Sequence, residues 1–270
     1  MSGFLDHFGL KEPPFSKEIG DKDLWLPSSK AAIVDDLIEA LEGRSSVLLT
    51  GDPGTGKTCV LRALRHRLPR EGFRLTYCHN ATLGRRDFYR QLCVALGLSP
   101  SATAAAVFFA VSQHVEDLGK DKLHPVFLLD EAHLLHQDTL DHLHILLNYE
   151  WDRRALLSLV LVGLPDLEER LGKRRNRSLC SRISQRLRID PLVAADTAEY
   201  IAHRLRLVGF NKDVFTDESI TLLHEQTGGA MRDIDRFATA ALRVTAKRKR
   251  KLVERDVVAQ VIEAENRQAA

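Results

Sequence analysis

Aromatic side chains make up only 6% of the chain. They are not interleaved with its basic clusters, so any nucleic-acid contact is expected to track phosphates rather than stack on bases. Cysteine is scarce and dispersed. Cys59, Cys78, Cys93 and Cys180 contain no C-x-x-C pair, which argues against a disulfide framework or a cysteine-rich zinc site and fits a reducing cytoplasm. The longest apolar run, Ala104 to Val111, falls far short of the roughly 18 residues of a spanning helix. Met1 to Gly9 carries an acid and no apolar stretch of the signal-peptide kind, so neither export nor a membrane association is expected. An excess of one charge is also missing: 39 Lys and Arg face 37 Asp and Glu, a net +2. That excludes a uniformly basic coating protein and an acidic disordered one. Internal repeats and low-complexity linkers are absent as well.

What is present is an ordinary globular mixture, 44% apolar and 28% charged over 270 residues, enough to bury a sizeable core. Apolar runs at Val47–Thr50, Arg74–Cys78, Val126–Asp130, Leu157–Val162 and Leu187–Ile189 read as strands. Helical periodicity lies between them, over about 30–42, 57–68, 86–96, 102–118 and 139–150. Strands interleaved with helices predict an α/β layer with a mainly parallel five-stranded sheet. After Pro191 only helical periodicity remains, over about 195–207, 217–226, 231–244 and 254–266. The expected division is a nucleotide-binding α/β domain over 1–190, including an N-terminal segment 1–43, and a helical lid over 191–270.

The strongest signal is Gly51-Asp52-Pro53-Gly54-Thr55-Gly56-Lys57-Thr58, a G-x-x-x-x-G-K-[ST] sequence between a strand and a helix. Its glycines let backbone N–H groups turn inward around phosphate oxygens, and the following helix points its positive end at them. Lys57 can reach the β- and γ-phosphates of ATP, and the Thr58 hydroxyl can ligate Mg²⁺. The second half of such a site is an acid at the end of a buried strand. Val126-Phe127-Leu128-Leu129-Asp130-Glu131 supplies it, with Asp130 expected to hold Mg²⁺ and Glu131 to orient the attacking water.

These motifs together resemble the AAA+ ATPases, over nearly the whole chain. Within them the sequence looks most like the ExeA-like group, which includes secretion-pathway ATPases and the transposition ATPases of the MuB and TnsC kind. The opening Phe8-Gly9-Leu10-Lys11-Glu12-Pro13-Pro14-Phe15 is similar to a segment that usually lies near the adenine; an ordinary apolar arm packed on the core is the other reading. Asn80 stands where this group often has an Asn that restrains the catalytic glutamate, or it simply turns the chain. Ser181-Arg182-Ile183 is similar to an arginine-finger segment, which makes Arg182 the candidate that completes a neighbour's site, with Arg186 in reserve. Gly228-Gly229-Ala230-Met231-Arg232 resembles the start of a sensor-2 helix, so Arg232 is expected to touch the γ-phosphate. The fourth strand runs out in Leu161-Val162-Gly163-Leu164-Pro165-Asp166, with no polar sensor-1 residue where one is usual. That role stays unassigned, and hydrolysis is expected to be slow.

Positive charge is unevenly spread. Residues 170–190 carry a net +7 and residues 243–255 a net +6, leaving −11 for the rest of the chain. Such density suits duplex DNA, although for the second run a basic turn joining the last two lid helices, common in relatives, is the stronger reading. Arg85, Arg86, Lys120 and Lys122 are further candidates to line a DNA path. His133, His136, His142 and His144 lack a metal-site spacing and read as polar helix surface. The resemblance then implies an ATP-dependent regulator of transposition that assembles as a ring or helical filament on duplex DNA and recruits or activates a transposase. The alternative it implies is a secretion-pathway ATPase acting on envelope assembly proteins, which the end of the chain at Ala270, just after the lid, is expected to disfavour.

Overall fold

The computed structural model describes residues 3–78, 84–99, 103–148 and 154–269. Five strands form one sheet: β1 (Ser46–Gly51), β2 (Phe73–Cys78), β3 (His124–Leu129), β4 (Ser158–Gly163) and β5 (Ile183–Ile189). Their order is β2-β3-β4-β1-β5, and every pair is parallel. The helices, in chain order, are α1 (Gly3–Phe8), α2 (Ser28–Glu42), α3 (Lys57–Arg67), α4 (Arg85–Ala95), α5 (Ala104–Lys120) and α6 (Gln137–Leu146). They continue with α7 (Asp166–Gly172), α8 (Arg177–Cys180), α9 (Ala194–Leu207), α10 (Asp217–Thr227), α11 (Met231–Lys247) and α12 (Arg255–Ala269). None of the described helices is long and apolar enough to cross a membrane.

By packing, the chain divides into two units. The sheet unit comprises residues 28–52 and 60–189; the helical unit comprises the residues up to Pro27, Pro53–Cys59 and everything from Asp190 onwards. In the sheet unit the central strands β1, β3 and β4 are buried at every position, whereas the edge strands β2 and β5 are only partly so. This is why the central strands read as continuous apolar runs, the pattern of a parallel sheet covered on both faces. Leu48, Phe127, Leu129, Leu159 and Leu161 share a core with Phe88, Leu92, Val111, Leu140 and Leu143 of the covering helices.

The edges are where the sequence expectation falls short. β5 begins at Ile183, four residues before its expected start, because only Ile183 and Ile189 of this strand are buried and Arg186 and Arg188 point outward. α7 and α8 have no counterpart in the expectation; their short apolar pattern, Leu167, Leu171 and Leu179, is masked by the basic residues around it. β3 runs through Pro125 rather than starting after it. His124 donates its N–H to the Gly72 carbonyl on the β2 side, and β4 pairing begins only at Val126–Ser158. The missing proline N–H therefore falls where no strand accepts it.

The helical unit differs more from expectation. Residues 3–27 group with it and not with the sheet unit. Phe4, Leu10 and Phe15 lie in one core with Tyr200, Ile201, Leu223, Ile234, Phe237 and Val257, so the Phe8–Phe15 segment is a packed arm. Its anchor is Arg204, 2% exposed. Arg204 donates to the carbonyls of Pro14 at 2.8 Å and Ser16 at 2.5 Å, and to the Tyr200 hydroxyl at 2.9 Å. Tyr200 in turn donates to Asp235 at 2.7 Å, and Arg204 pairs with the same carboxylate at 3.6 Å. Burial pushes the Asp235 carboxyl up to about 6 against the pull of the Arg204 charge.

At the start of the sheet, His124 is buried with its Nε2 at 2.8 Å from the Ser158 hydroxyl. Burial, helped by the nearby Arg44 charge, pushes its pKa down to about 4. An imidazole that resists protonation when folded accepts a proton first in the unfolded chain. Its contribution is therefore complete above about pH 6.5 and is lost as the pH falls towards 4, by up to ~3 kcal/mol. Urea unfolding between pH 7 and pH 4 is expected to show this loss, and His124→Asn, which cannot charge, to flatten it.

Candidate nucleotide site

The phosphate loop is built by strand, loop and helix as the sequence demands. β1 ends at Gly51 and α3 begins at Lys57. Between them Gly54 and Gly56 hold φ of +81° and +96°, the left-handed region in which a side chain is strained. Gly54 is doubly constrained. A Cβ there would lie 3.1 Å from the Arg232 Cβ and 3.6 Å from that of Ala230, so the loop and the first turn of α11 approach across the bare backbone. Arg232 itself is exposed on that turn. Thr55 is 1% exposed and Lys57 is also buried. A lysine withdrawn from solvent beside left-handed glycines and a helix N-terminus is a donor set that suits a polyphosphate.

The approach of α11 is fixed one turn earlier. Gly228, in the left-handed region, caps α10. Gly229 follows with φ +79°, and a Cβ on it would stand 2.0 Å from the Leu192 carbonyl oxygen. The two backbones are joined there, with the Leu192 N–H donating to the Gly229 carbonyl at 2.9 Å. The double glycine thus seats α11, and with it Arg232.

The acidic half stands at the C-terminal ends of the buried strands of the sheet unit. Leu129 pairs with Leu161, and Thr50 with Gly163, so on this edge of the sheet β3 ends two residues before β4 and three before β1. Asp130 follows β3 directly and is 9% exposed. One carboxylate oxygen accepts the Glu131 N–H at 2.9 Å and the other accepts the Tyr77 hydroxyl at 3.0 Å. Burial and the adjacent acid push the Tyr77 phenol well above its usual range, so it donates and does not compete as an anion. A single oriented carboxylate at the carboxyl end of a buried strand fits Mg²⁺, which takes few protein ligands and keeps its waters and the substrate phosphates.

Glu131 lies in the left-handed region at φ 53°, a placement unusual for a side chain of its length. It starts a one-turn 3₁₀ helix, Ala132–Leu134, and its carbonyl accepts the Leu134 N–H at 2.9 Å. Its side chain is half exposed, with Oε2 3.5 Å from Nε2 of His133. His133 is not polar helix surface: its side chain is only 10% exposed. Sequence reasoning missed both His133 and Tyr77. The signal for Tyr77 was its place on β2 beside β3, opposite Leu128.

The remaining candidates fall elsewhere. Asn80 lies outside the described residues. Arg182 sits in the turn between α8 and β5, not on a helix, and its guanidinium donates to the Ser178 carbonyl at 3.0 Å. With Arg44 and Arg154 it lines a cavity of about 400 Å³ beside Ser46 and Leu157, where β1 and β4 begin. Arg186, on β5, pairs with Glu168 and lies 3.0 Å from the Cys180 sulfur. Leu164 offers no polar side chain after β4, and Asp166 is exposed in the first turn of α7.

Much of the basic charge is engaged internally. Arg170 donates to the His133 carbonyl at 2.9 Å, and Arg175 grips Asp141 with two nitrogens. Arg248 and Arg250 both bind Asp256 across the α11–α12 turn. Arg85 lies 2.7 Å from His142, and Lys120 pairs with Asp117. Lys173, Arg174 and Arg177 stay exposed.

Residues 39–171 match the family described as an AAA domain. The chain is 34% identical to general secretion pathway protein A of Aeromonas hydrophila over 94% of its own length. It spans about half of that relative, 47%. Among solved structures it is similar to Cdc6p from Pyrobaculum aerophilum, with a TM-score of 0.64, 18% identity and coverage of 87% of this chain and 68% of that one. The ORC1 protein of Aeropyrum pernix, solved in complex with DNA, gives 0.64 and 22%, covering 90% and 66%. The RuvB Holliday junction branch migration motor of Thermotoga maritima gives 0.59 and 18%, covering 94% and 73%. The fold is that of a P-loop AAA+ protein. The AAA-domain match and the similarity to general secretion pathway protein A support ATPase activity, with ATP and Mg²⁺ as nucleotide and metal.

The Tyr77–Asp130 bond makes a specific demand. Tyr77→Phe is expected to raise the Mg²⁺ concentration needed for half-maximal ATP turnover about tenfold, as loss of a partner behind a metal ligand does, with little change in kcat at saturating Mg²⁺. A magnesium titration of both proteins checks it.

Proposed function

We propose that this AAA+ ATPase is an ATP-gated assembly factor of the secretion-pathway kind, whose subunits complete one another's nucleotide sites and act on envelope assembly proteins. The observation that carries this reading is the identity to general secretion pathway protein A, which extends over both the sheet unit and the helical unit. In it, the amides of Gly51, Asp52, Pro53, Gly54, Thr55 and Gly56, where the backbone has an N–H, form the phosphate cradle, and Lys57 neutralises the β- and γ-phosphates. Thr58 and Asp130 are the Mg²⁺ donors, and the metal supplies charge neutralisation at the phosphoryl group. Glu131 orients the attacking water, Arg232 reports the γ-phosphate to α11, and Asn80 restrains Glu131. Arg182 acts on a neighbour's nucleotide; its place in a cavity with Arg44 and Arg154, at the opposite end of the strands from Asp130, suits an arginine that serves another subunit.

Mixing experiments test the shared site. Lys57→Ala and Arg182→Ala are each expected to abolish most turnover alone. Mixed in equal amounts they are expected to recover roughly a quarter of wild-type activity, since about one interface in four then carries both intact groups. No recovery on mixing refutes the shared site.

A second reading, the transposition regulator on duplex DNA, is supported by Lys173, Arg174 and Arg177, which are exposed and close in sequence. It requires ATP-dependent binding of duplex DNA that weakens steeply with salt. Binding at low salt that is lost on replacing these three with alanine favours it. Turnover stimulated by a membrane-embedded secretion component, with no effect of DNA, favours the first.

A further inference from the structure

Glu131 raises a mechanical question. A carboxylate that orients water must be held in place, yet this side chain is half exposed and leaves a left-handed backbone. The partner the structure gives it is His133, and that imidazole is unusually well seated. Gly163, the last residue of β4, provides the space: a Cβ there would lie 3.2 Å from both the backbone N and Nδ1 of His133, and 2.9 Å from Leu167. The Leu164 N–H donates to Nδ1 at 3.4 Å. The His133 carbonyl accepts from Arg170 at 2.9 Å.

The bond from Leu164 decides the tautomer. A backbone amide can only donate, so Nδ1 accepts and the proton of the neutral ring lies on Nε2. Nε2 is the nitrogen that faces Glu131, at 3.5 Å from Oε2. The ring therefore presents a donor to the carboxylate from a fixed position set by the end of β4. We propose that His133 is the positioning residue for Glu131, carrying the position of β4 to the water-orienting carboxylate through Leu164 N–H, Nδ1 and Nε2–H. A small move of β4 or α7 against β3 would then swing the carboxylate. The inference rests on the reading of Glu131 given above.

Two amide substitutions separate the two nitrogens. His133→Asn keeps an acceptor for Leu164 and loses the donor towards Glu131; His133→Gln can place an amide N–H near the Nε2 position. His133→Asn is expected to lower kcat for ATP about tenfold with KM changed less than about twofold, and His133→Gln to recover most of the loss. Gly163→Ala is expected to lower kcat similarly, because it displaces the ring, and to add little in combination with His133→Asn. Thermal unfolding of each variant identifies any that does not fold, and the remaining ones carry the test. Unchanged or raised kcat in folded His133→Asn overturns the inference, as does a Gln variant no better than Asn. Glu131→Gln is measured beside them. If it retains wild-type turnover, the reading of Glu131 fails; if it is inactive while His133→Asn is unaffected, only the role of His133 fails.

Discussion

Three fully buried parallel strands end within three residues of one another along one edge of the sheet, and the candidate site is hung on that edge. Because β1, β3 and β4 are covered on both faces, close packing of their side chains above and below the sheet holds the register. The register places Gly51, Asp130 and Gly163 at the same edge. Each strand then leaves the sheet differently. β1 opens into the phosphate loop, β3 turns sharply at Glu131, and β4 stops at a glycine that makes room for a histidine from the β3 turn. The acidic half of the site is thus a contact between two strand ends.

How far this was legible depends on whether a residue's role is local. The phosphate loop was readable because the glycines, the lysine and the helix start must be adjacent in sequence. The position of Asp130 and Glu131 just past β3 was readable because a buried strand advertises its end. The double glycine before Arg232 was visible as a motif, but its cause, a carbonyl from Leu192 occupying the place of a side chain, is a contact between distant segments. Tyr77 and His133 make their contacts across strands and carry no local signature. His133 stands among other histidines that share its sequence appearance but not its burial. β5, α7 and α8 were obscured because their few apolar residues alternate with arginines, and edge elements need only a few.

The charge pattern illustrates the same point. Counted along the sequence, residues 170–190 form a block of +7. In the fold that block is partly spent at home: Arg170 braces the His133 carbonyl, Arg175 closes on Asp141, and Arg186 faces Glu168. In the helical unit, Arg248 and Arg250 staple the turn between α11 and α12 through Asp256. Exposed pairs of this kind contribute little energy each, but they consume donors that a phosphate backbone would otherwise use. What is left exposed near α8 is a smaller patch than the count suggests.

The arm held by Arg204 has a consequence for how the chain is made. The guanidinium grips two main-chain carbonyls, Pro14 and Ser16, so it holds the backbone of the arm and not its side chains. More than that, Phe4, Leu10 and Phe15 find their partners only in residues beyond Pro191. The sheet unit between them is able to collapse while the arm waits with Phe4, Leu10 and Phe15 uncovered. Contacts of such high sequence separation are slow to form, and this unit closes only when residues 3–27 and the helices beyond Asp190 are both present.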